Sequence, residues 1–482
     1  MPSLQKYEAV IGLEVHAQLL TKSKLFCGDS TTFGDAPNTN ISPVSLAHPG
    51  TLPVMNKKAI DYAIRLGLAF NCDIMRNNYF ARKNYFYPDL PKGYQVSQHT
   101  TPICKNGYVS IYVDGGLRNI TLNRIHLEED AGKSIHDADE NYTCIDLNRA
   151  GVPLLEIVSE PDMHSAEEAF AYVTEIRKIV RYLQICDGNM EEGSMRCDAN
   201  ISIRLRDEKK LGTKVEVKNL NSIRNVKRAI EFEINRLITI VESGGKVVQQ
   251  TRSFDASTGT TFSLRTKEEA NDYRYFPEPD LTPFVITEEK IKEVRESLPA
   301  LPAALEKKFM GQYSLPVADA KVLCDDRETA IFFERIIEYT NNYKAAANWV
   351  LGPVKFYLNE SNIPIEKLPV HPKTFARLIE MVETGRVSFG IAASKIFPAL
   401  LSFPGKEPME IAVELNVLLE KNDDSLNTWV EAVLSKMPDK VLEYRKGKKN
   451  LIGLFSGEVK KLSKGKADMQ VVNKILNQKL NQ

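Results

Sequence analysis

Strict alternation of apolar and polar residues marks the strands of this chain. In VIGLEVHAQL, residues 10–19, Ile11, Leu13, Val15 and Ala17 fall on one face and Gly12, Glu14, His16 and Gln18 on the other. SMRCDANISIRLR, residues 194–206, repeats the pattern, with Arg196, Asp198, Asn200, Ser202 and Arg204 on its polar face. TKVEVKNLNS follows with Val215 and Val217 inward and Lys214, Glu216 and Lys218 outward. YVSIYV, DGG and LRNITLNRIHL read as a hairpin over 108–127, and residues 247–265 as another around Ser257-Thr258-Gly259. Helical spacing appears over 56–70, from the N-cap Ser165 to about Leu183, and from Ser222 to the Gly244-Gly245 stop. After Thr287 amphipathic helices dominate, with Pro or Gly breaks near 299–302, 352–353, 371–372 and 398–405.

The order of these elements predicts an α+β fold. An antiparallel sheet has its apolar side covered by helices and its charged side open. It occupies 1–290, followed by an all-α domain over 291–405 and a small all-α tail over 406–482. The segment 27–54 is dense in Gly, Pro, Asn, Ser and Thr and reads as an irregular connection, and 82–98, with two prolines, reads as a rigid, non-helical surface. In the second, aromatic residues interleave with Arg82, Lys83 and Lys92, a pattern able to hold a base.

Composition alters this picture little. Among 482 residues, 43% are hydrophobic, 26% are charged, and Lys plus Arg equals Asp plus Glu at 63 each. No global basic field announces a nucleic acid. The exception is the end of the chain, where residues 430–482 hold 12 Lys and Arg against 5 Asp and Glu. Seven cysteines stand singly, without CxxC, as in a reduced, cytoplasmic protein. No run approaches the roughly 20 apolar residues of a membrane helix.

The polar faces carry the chemistry. Glu14, His16, Glu128, Glu129 and Asp198 lie on or beside strands of one sheet, with Arg196, Lys83 and Lys214 as nearby cations. A carboxylate-rich set with one imidazole suits Mg²⁺ or Mn²⁺ better than Zn²⁺. Such an ion usually sits between carboxylates and substrate phosphates, so ATP is the expected cofactor, with Arg196 and Lys214 as phosphate candidates. Gly132-Lys133-Ser134 resembles the end of a P-loop, but Leu127 stands where the earlier glycine belongs. No GxSxG elbow occurs, which argues against a covalent hydrolase. The histidines His48, His99, His136, His164 and His371 are read as structural.

Eight ordered blocks carry a resemblance: IGLEVHAQL, FGDAPNTN, RKNYFYPDLPKGYQVSQ, HLEEDAGKS, DLNRAGVPLLEIVSEPD, MEEGSMRCDANIS, VEVKNLNS and DYRYFPEPDL. Together with GLFSGEVKKLSKGKAD and VVNKIL in the tail, they resemble the GatB family, the B subunits of the aspartyl/glutamyl-tRNA(Asn/Gln) amidotransferase. That resemblance implies a glutamine synthetase-like cradle that phosphorylates the side-chain carboxylate of misacylated Glu-tRNA(Gln) or Asp-tRNA(Asn) with Mg-ATP. Ammonia then displaces phosphate. It also implies a heterotrimer with an amidase A subunit, which supplies the ammonia through a channel, and a small C subunit.

Carried over by residue, the resemblance makes Glu14, His16, Glu128 and Asp198 metal-binding, and Glu14, His16 and Glu129 catalytic. Lys83, Lys92 and Glu129 become ammonia-channel positions, and Lys448, Lys449, Lys460, Lys461 and Lys464 candidates for tRNA contact. Many members carry four cysteines in the 27–45 loop; here the positions are Cys27, Asp29, Ser42 and Ser45, so no zinc is expected. Two other readings compete: a non-catalytic tRNA-binding adapter, which has no need for the acidic set, and a free-standing ligase, disfavoured by the basic tail.

Overall fold

A computed structural model describes residues 6–136, 138–266, 273–420 and 423–481. Asp272, which opens the last cradle motif, lies outside the described residues. The fold is mixed α and β, in two compact units, Met1–Leu301 and Pro302–Gln482.

The first unit is built on β1 (Tyr7–Gln18), β2 (Ala81–Asn84), β3 (Tyr94–Ser97), β4 (Tyr108–Val113), β5 (Gly116–Glu129), β6 (Pro153–Ser159), β7 (Met195–Leu205), β8 (Val215–Leu220), β9 (Gln250–Asp255) and β10 (Thr260–Thr266). Among the described residues the main sheet has ten strands, in the order β10-β9-β8-β7-β1-β6-β5 followed by the short strands Cys104–Lys105 and Asp73–Ile74, with β4 paired to β5. β1 is therefore central, antiparallel to β6 on one side and to β7 on the other. The expected antiparallel sheet holds with one exception, since β8 and β9 run parallel. The helix between them makes this a βαβ crossover, which parallel neighbours require.

Helices α1 (Lys57–Ala69), α2 (Ala166–Tyr182) and α3 (Ile223–Glu242) cover the apolar side. Ser165 and Ser222 cap α2 and α3, each hydroxyl accepting an N–H three residues on, from Glu168 and Asn225, at 3.1 Å. α3 ends where Gly244 takes φ +79°, a conformation that a residue with a side chain rarely adopts. Ile11, Leu13, Val15 and Ala17 of β1 are fully buried against this layer. Burial of Ile11, Leu13 and Val15 contributes about 1.5–3 kcal/mol each. Glu233 of α3 is buried too, and takes Arg236 (2.7 Å), Arg252 (3.1 Å) and the Thr261 hydroxyl, tying the helix to β9 and β10.

The described part of the second unit is helical. The predicted break at 352–353 does not end a helix. Tyr343–Trp349, a π-helical turn at Val350–Val354 and Lys355–Ser361 follow one another directly, so the missing N–H of Pro353 is absorbed by a wider turn. A second π turn, Ala392–Ile396, precedes Pro398 in the same way, and that helix runs on to Ser402. Residues from Leu426 to Leu480 pack around their own apolar cluster, which includes Val430, Phe455 and Leu476. Among the described residues no helix is long and apolar enough to cross a membrane.

Candidate active site

The strand register assembles the polar face. His16 of β1 lies opposite Arg196 of β7 and Glu156 of β6, and Glu156 in turn lies opposite His126 of β5. Directly paired residues share a face, so Glu14 and Asp198, which are also paired, project on the same side. His16 Nε2 is 3.3 Å from Glu156 Oε2. His126 Nε2 is 3.3 Å from Glu128 Oε2 and 3.4 Å from Glu156 Oε2. Ser97 Oγ donates to Glu128 Oε2 at 3.0 Å. Ligand atoms of His16, Glu128 and Glu156 all lie within 4.8 Å of one another, the one group of potential metal donors this close among the described residues. Two carboxylates and an imidazole on a strand-fixed frame fit a hard divalent cation.

The electrostatics of this cluster are mutual. Burial disfavours the charged form of His126, yet the Glu156 charge and the hydrogen bonds to Glu128 and Glu156 push its pKa up to about 9. Burial likewise opposes charge on His16, and Glu156 outweighs it, so that pKa is raised as well. Glu156 is held well below the carboxylate range, its burial overcome by His126 and His16. Glu14 goes the other way: burial raises it, and the nearby Glu156 charge adds to that.

The remaining residues proposed from sequence divide among several environments. Glu14 Oε1 accepts from Asn200 Nδ2 at 3.0 Å. Asp198 Oδ2 binds Lys218 Nζ at 2.6 Å, and Lys218 also reaches Glu216 at 3.2 Å. Lys214 is exposed ahead of β8 and is not brought to this cluster; Lys218 occupies the place expected of it. Arg196 donates to Asp130 Oδ2 at 2.8 Å, which also accepts from Gln18 Nε2 at 2.7 Å. Lys83 sits against the rings of Tyr273 (5.2 Å) and Tyr85 (5.7 Å). Its ammonium is favoured by the Glu128 and Tyr275 side chains despite burial.

Glu129 follows Glu128 on β5 and therefore points to the other side of the strand. It accepts from the Val96 N–H at 2.8 Å and pairs with Lys92. Together they line a cavity of about 160 Å³ with Lys24, Phe26, Gly151 and Glu278. Lys24 is fully buried and donates to the Asn40 carbonyl at 2.7 Å, which fixes the long loop over this cavity. In that loop Ser45 Oγ donates to Asp29 Oδ2 at 2.6 Å, and the Ser42 N–H donates to Ser45 Oγ at 2.9 Å.

In the tail, Lys448 pairs with Glu443 at 3.0 Å and Lys461 with Glu458 at 2.6 Å. Lys449 lies over Tyr444 at 4.2 Å, while Lys460 and Lys464 are exposed.

Glu156, His126 and Lys218 were not assigned from the sequence. The available signals were a lone carboxylate inside the apolar run PLLEIVS and a histidine two residues before Glu128, hence on its face of the strand.

Comparison with known proteins bears on this arrangement. A family model described as the GatB/GatE catalytic domain matches residues 9–292, and one described as the GatB domain matches residues 331–480. The chain belongs to the GatB family. GatB proteins similar to it include the aspartyl/glutamyl-tRNA(Asn/Gln) amidotransferase B subunit of Geotalea uraniireducens (strain Rf4), 52% identical over 480 residues, covering 99% of this chain and 100% of that protein. The proteins of the same name from Geobacter sp. (strain M21) and Thermoanaerobacter sp. (strain X514) are 50% and 47% identical, each over 98% of this chain and 99% of their own length. The resemblance carried by the eight motifs is thus met, and with it the assignment as a subunit of a glutamine-dependent amidotransferase. The GatB catalytic-domain match runs from within β1 through β10 and so contains the whole polar cluster.

Proposed function

We propose that this GatB chain amidates misacylated Glu-tRNA(Gln) or Asp-tRNA(Asn) in two steps on the open face of its sheet. The carrying observation is the convergence of His16, Glu128 and Glu156, with Glu14 and Asp198 beside them. These residues would hold Mg²⁺ (or Mn²⁺), which when bound neutralises phosphate charge and orients the γ-phosphoryl group. A side-chain carboxylate of the aminoacyl-tRNA attacks the γ-phosphorus of ATP, the bond to the β–γ bridging oxygen breaks, and ADP leaves. Lys218 and Lys83 supply positive charge beside that transfer. Ammonia then attacks the acyl carbon and phosphate departs. Glu14, whose carboxyl is held above its usual range, accepts the proton that nitrogen sheds.

Ammonia reaches the acyl phosphate from the other side of β5, past the Lys92–Glu129 pair and Lys83, so the intermediate is kept from bulk water. It comes from an amidase A subunit, with a small C subunit completing a cytoplasmic heterotrimer. The cradle, residues 1–290, is glutamine synthetase-like. Residues 291–405 form a helical domain, and the basic tail, residues 406–482, contacts the tRNA backbone through Lys460, Lys464 and the weakly paired Lys448, Lys449 and Lys461.

Transfer of labelled γ-phosphate from ATP to Glu-tRNA or Asp-tRNA by the purified complex tests the reading. Glu156→Gln should abolish transfer while leaving glutaminase turnover in place. Equal phosphoryl transfer by the variant and the wild type would sink it.

A further inference from the structure

The open face continues beyond the carboxylates toward the sheet edge, and what it carries there is ordered. Lys218 of β8 is the register partner of Ser253 on β9, and Ser253 is the partner of Phe262 on β10. The same face also holds Thr251, whose hydroxyl donates to Glu216 at 2.8 Å. Residues of the opposite parity go to the other side. Arg252 and Thr261 engage the buried Glu233 on α3, and Phe254 is buried. Phe262 is thus held on the open face by the pairing of its strand, yet the residue is 51% exposed. Strands lie about 4.8 Å apart, so the Phe262 backbone stands roughly 10 Å from that of Lys218. The lysine ammonium extends away from it, to Asp198 and Glu216.

Read along one line across the strands, the face offers an exposed aromatic ring, the buried Ser253, an ammonium and then the carboxylate and imidazole cluster. A nucleoside triphosphate presents the complementary series of base, ribose, phosphates and metal-bound terminal phosphate. We propose that Phe262 is the stacking platform for the nucleotide base, with Lys218 at the phosphates. The inference rests on the reading that ATP is used at this site, and it adds where the base lies. It also gives a role to a phenyl ring exposed at the sheet edge beside the equally exposed Leu264. Stacking requires only a π-face, so Phe262 contributes affinity, while the choice of nucleotide lies elsewhere.

Binding of Mg-ATP and of magnesium tripolyphosphate to the assembled complex, measured by calorimetry, separates the possibilities. Removing one base-stacking ring weakens binding by about tenfold or more. Phe262→Ala should therefore weaken Mg-ATP by that factor, Phe262→Tyr should stay within about twofold of wild type, and tripolyphosphate should bind all three chains equally. Unchanged Mg-ATP affinity in Phe262→Ala overturns the proposal, as does an equal loss of tripolyphosphate. If Phe262→Ala instead disrupts complex assembly at unchanged nucleotide affinity, the ring belongs to an inter-chain contact and the proposal fails. Wild-type complex that binds no Mg-ATP overturns the parent reading together with this one.

Discussion

Replacing Glu278 by Ala should destabilise the first unit far more than loss of an ordinary ion pair, because Glu278 is the buried partner of a fork. Arg82 Nε and Nη2 each donate to it at 2.7 Å, and its side chain is only 2% exposed. Breaking a buried pair from one side costs about 3–5 kcal/mol. Here Arg82 would keep a contact to the half-exposed Asp280 at 3.2 Å and its place over the Tyr94 ring at 4.3 Å. The lower end, about 3 kcal/mol or two decades in the folding equilibrium, is therefore expected. Removing both partners with Arg82→Met and Glu278→Leu should recover most of that loss, since no charge is then stranded.

Hydrogen exchange read on peptides covering 81–84 and 276–281 is the direct assay. Both tryptophans, Trp349 and Trp429, lie in the second unit, so their fluorescence serves as an internal control in urea. The pH dependence has a fixed sign. Burial would raise the Glu278 pKa, but the Arg82 hydrogen bonds hold it below its usual value. The stabilisation is thus complete above about pH 4.5 and is lost as pH falls through the lowered folded pKa. A loss below about 1 kcal/mol for Glu278→Ala, the range of exposed pairs, or a double variant no better than the single one, would refute the reasoning.

Lys218→Met should raise the KM for ATP at least tenfold and strand Asp198, whereas Lys214→Met should leave steady-state rates within twofold, because Lys214 is exposed away from the cluster. Ser165→Ala should cost about 1 kcal/mol in thermal or urea unfolding by orphaning the Glu168 N–H, and Ser165→Asp should restore it. Gly132→Ala should cost roughly 1–3 kcal/mol in the same assay, since a Cβ there would lie 2.8 Å from the Asp89 carbonyl oxygen and 3.0 Å from that of Asp146. That packing, rather than a phosphate loop, explains the glycine of Gly132-Lys133-Ser134.

Period-two alternation made β1 and β7 legible because each has one buried and one open face, and the same property exposed Glu14, His16, Arg196 and Asp198 to inspection. β6 defeats that test. It lies inside the sheet with every residue but Val158 buried, so Glu156 looks like an interruption in a core strand when it is the centre of the cluster. Nothing local reveals that Glu156 faces His16 on one side and His126 on the other; that knowledge lives in the register of three strands distant in sequence. The choice between Lys214 and Lys218 has the same origin. Lys214 lies ahead of β8 whereas Lys218 is on it, and the register that pairs Val217 with Ala199 carries Lys218 against Asp198. The parallel pairing of β8 and β9 was written in the chain as strand, helix and strand, yet alternation carries no strand direction. Single-strand patterns thus identify which side chains are available to the site, while cross-strand register decides which of them meet. For this reason the row from Phe262 to Glu14 became visible only once Lys218, Ser253 and Phe262 were placed side by side on adjacent strands.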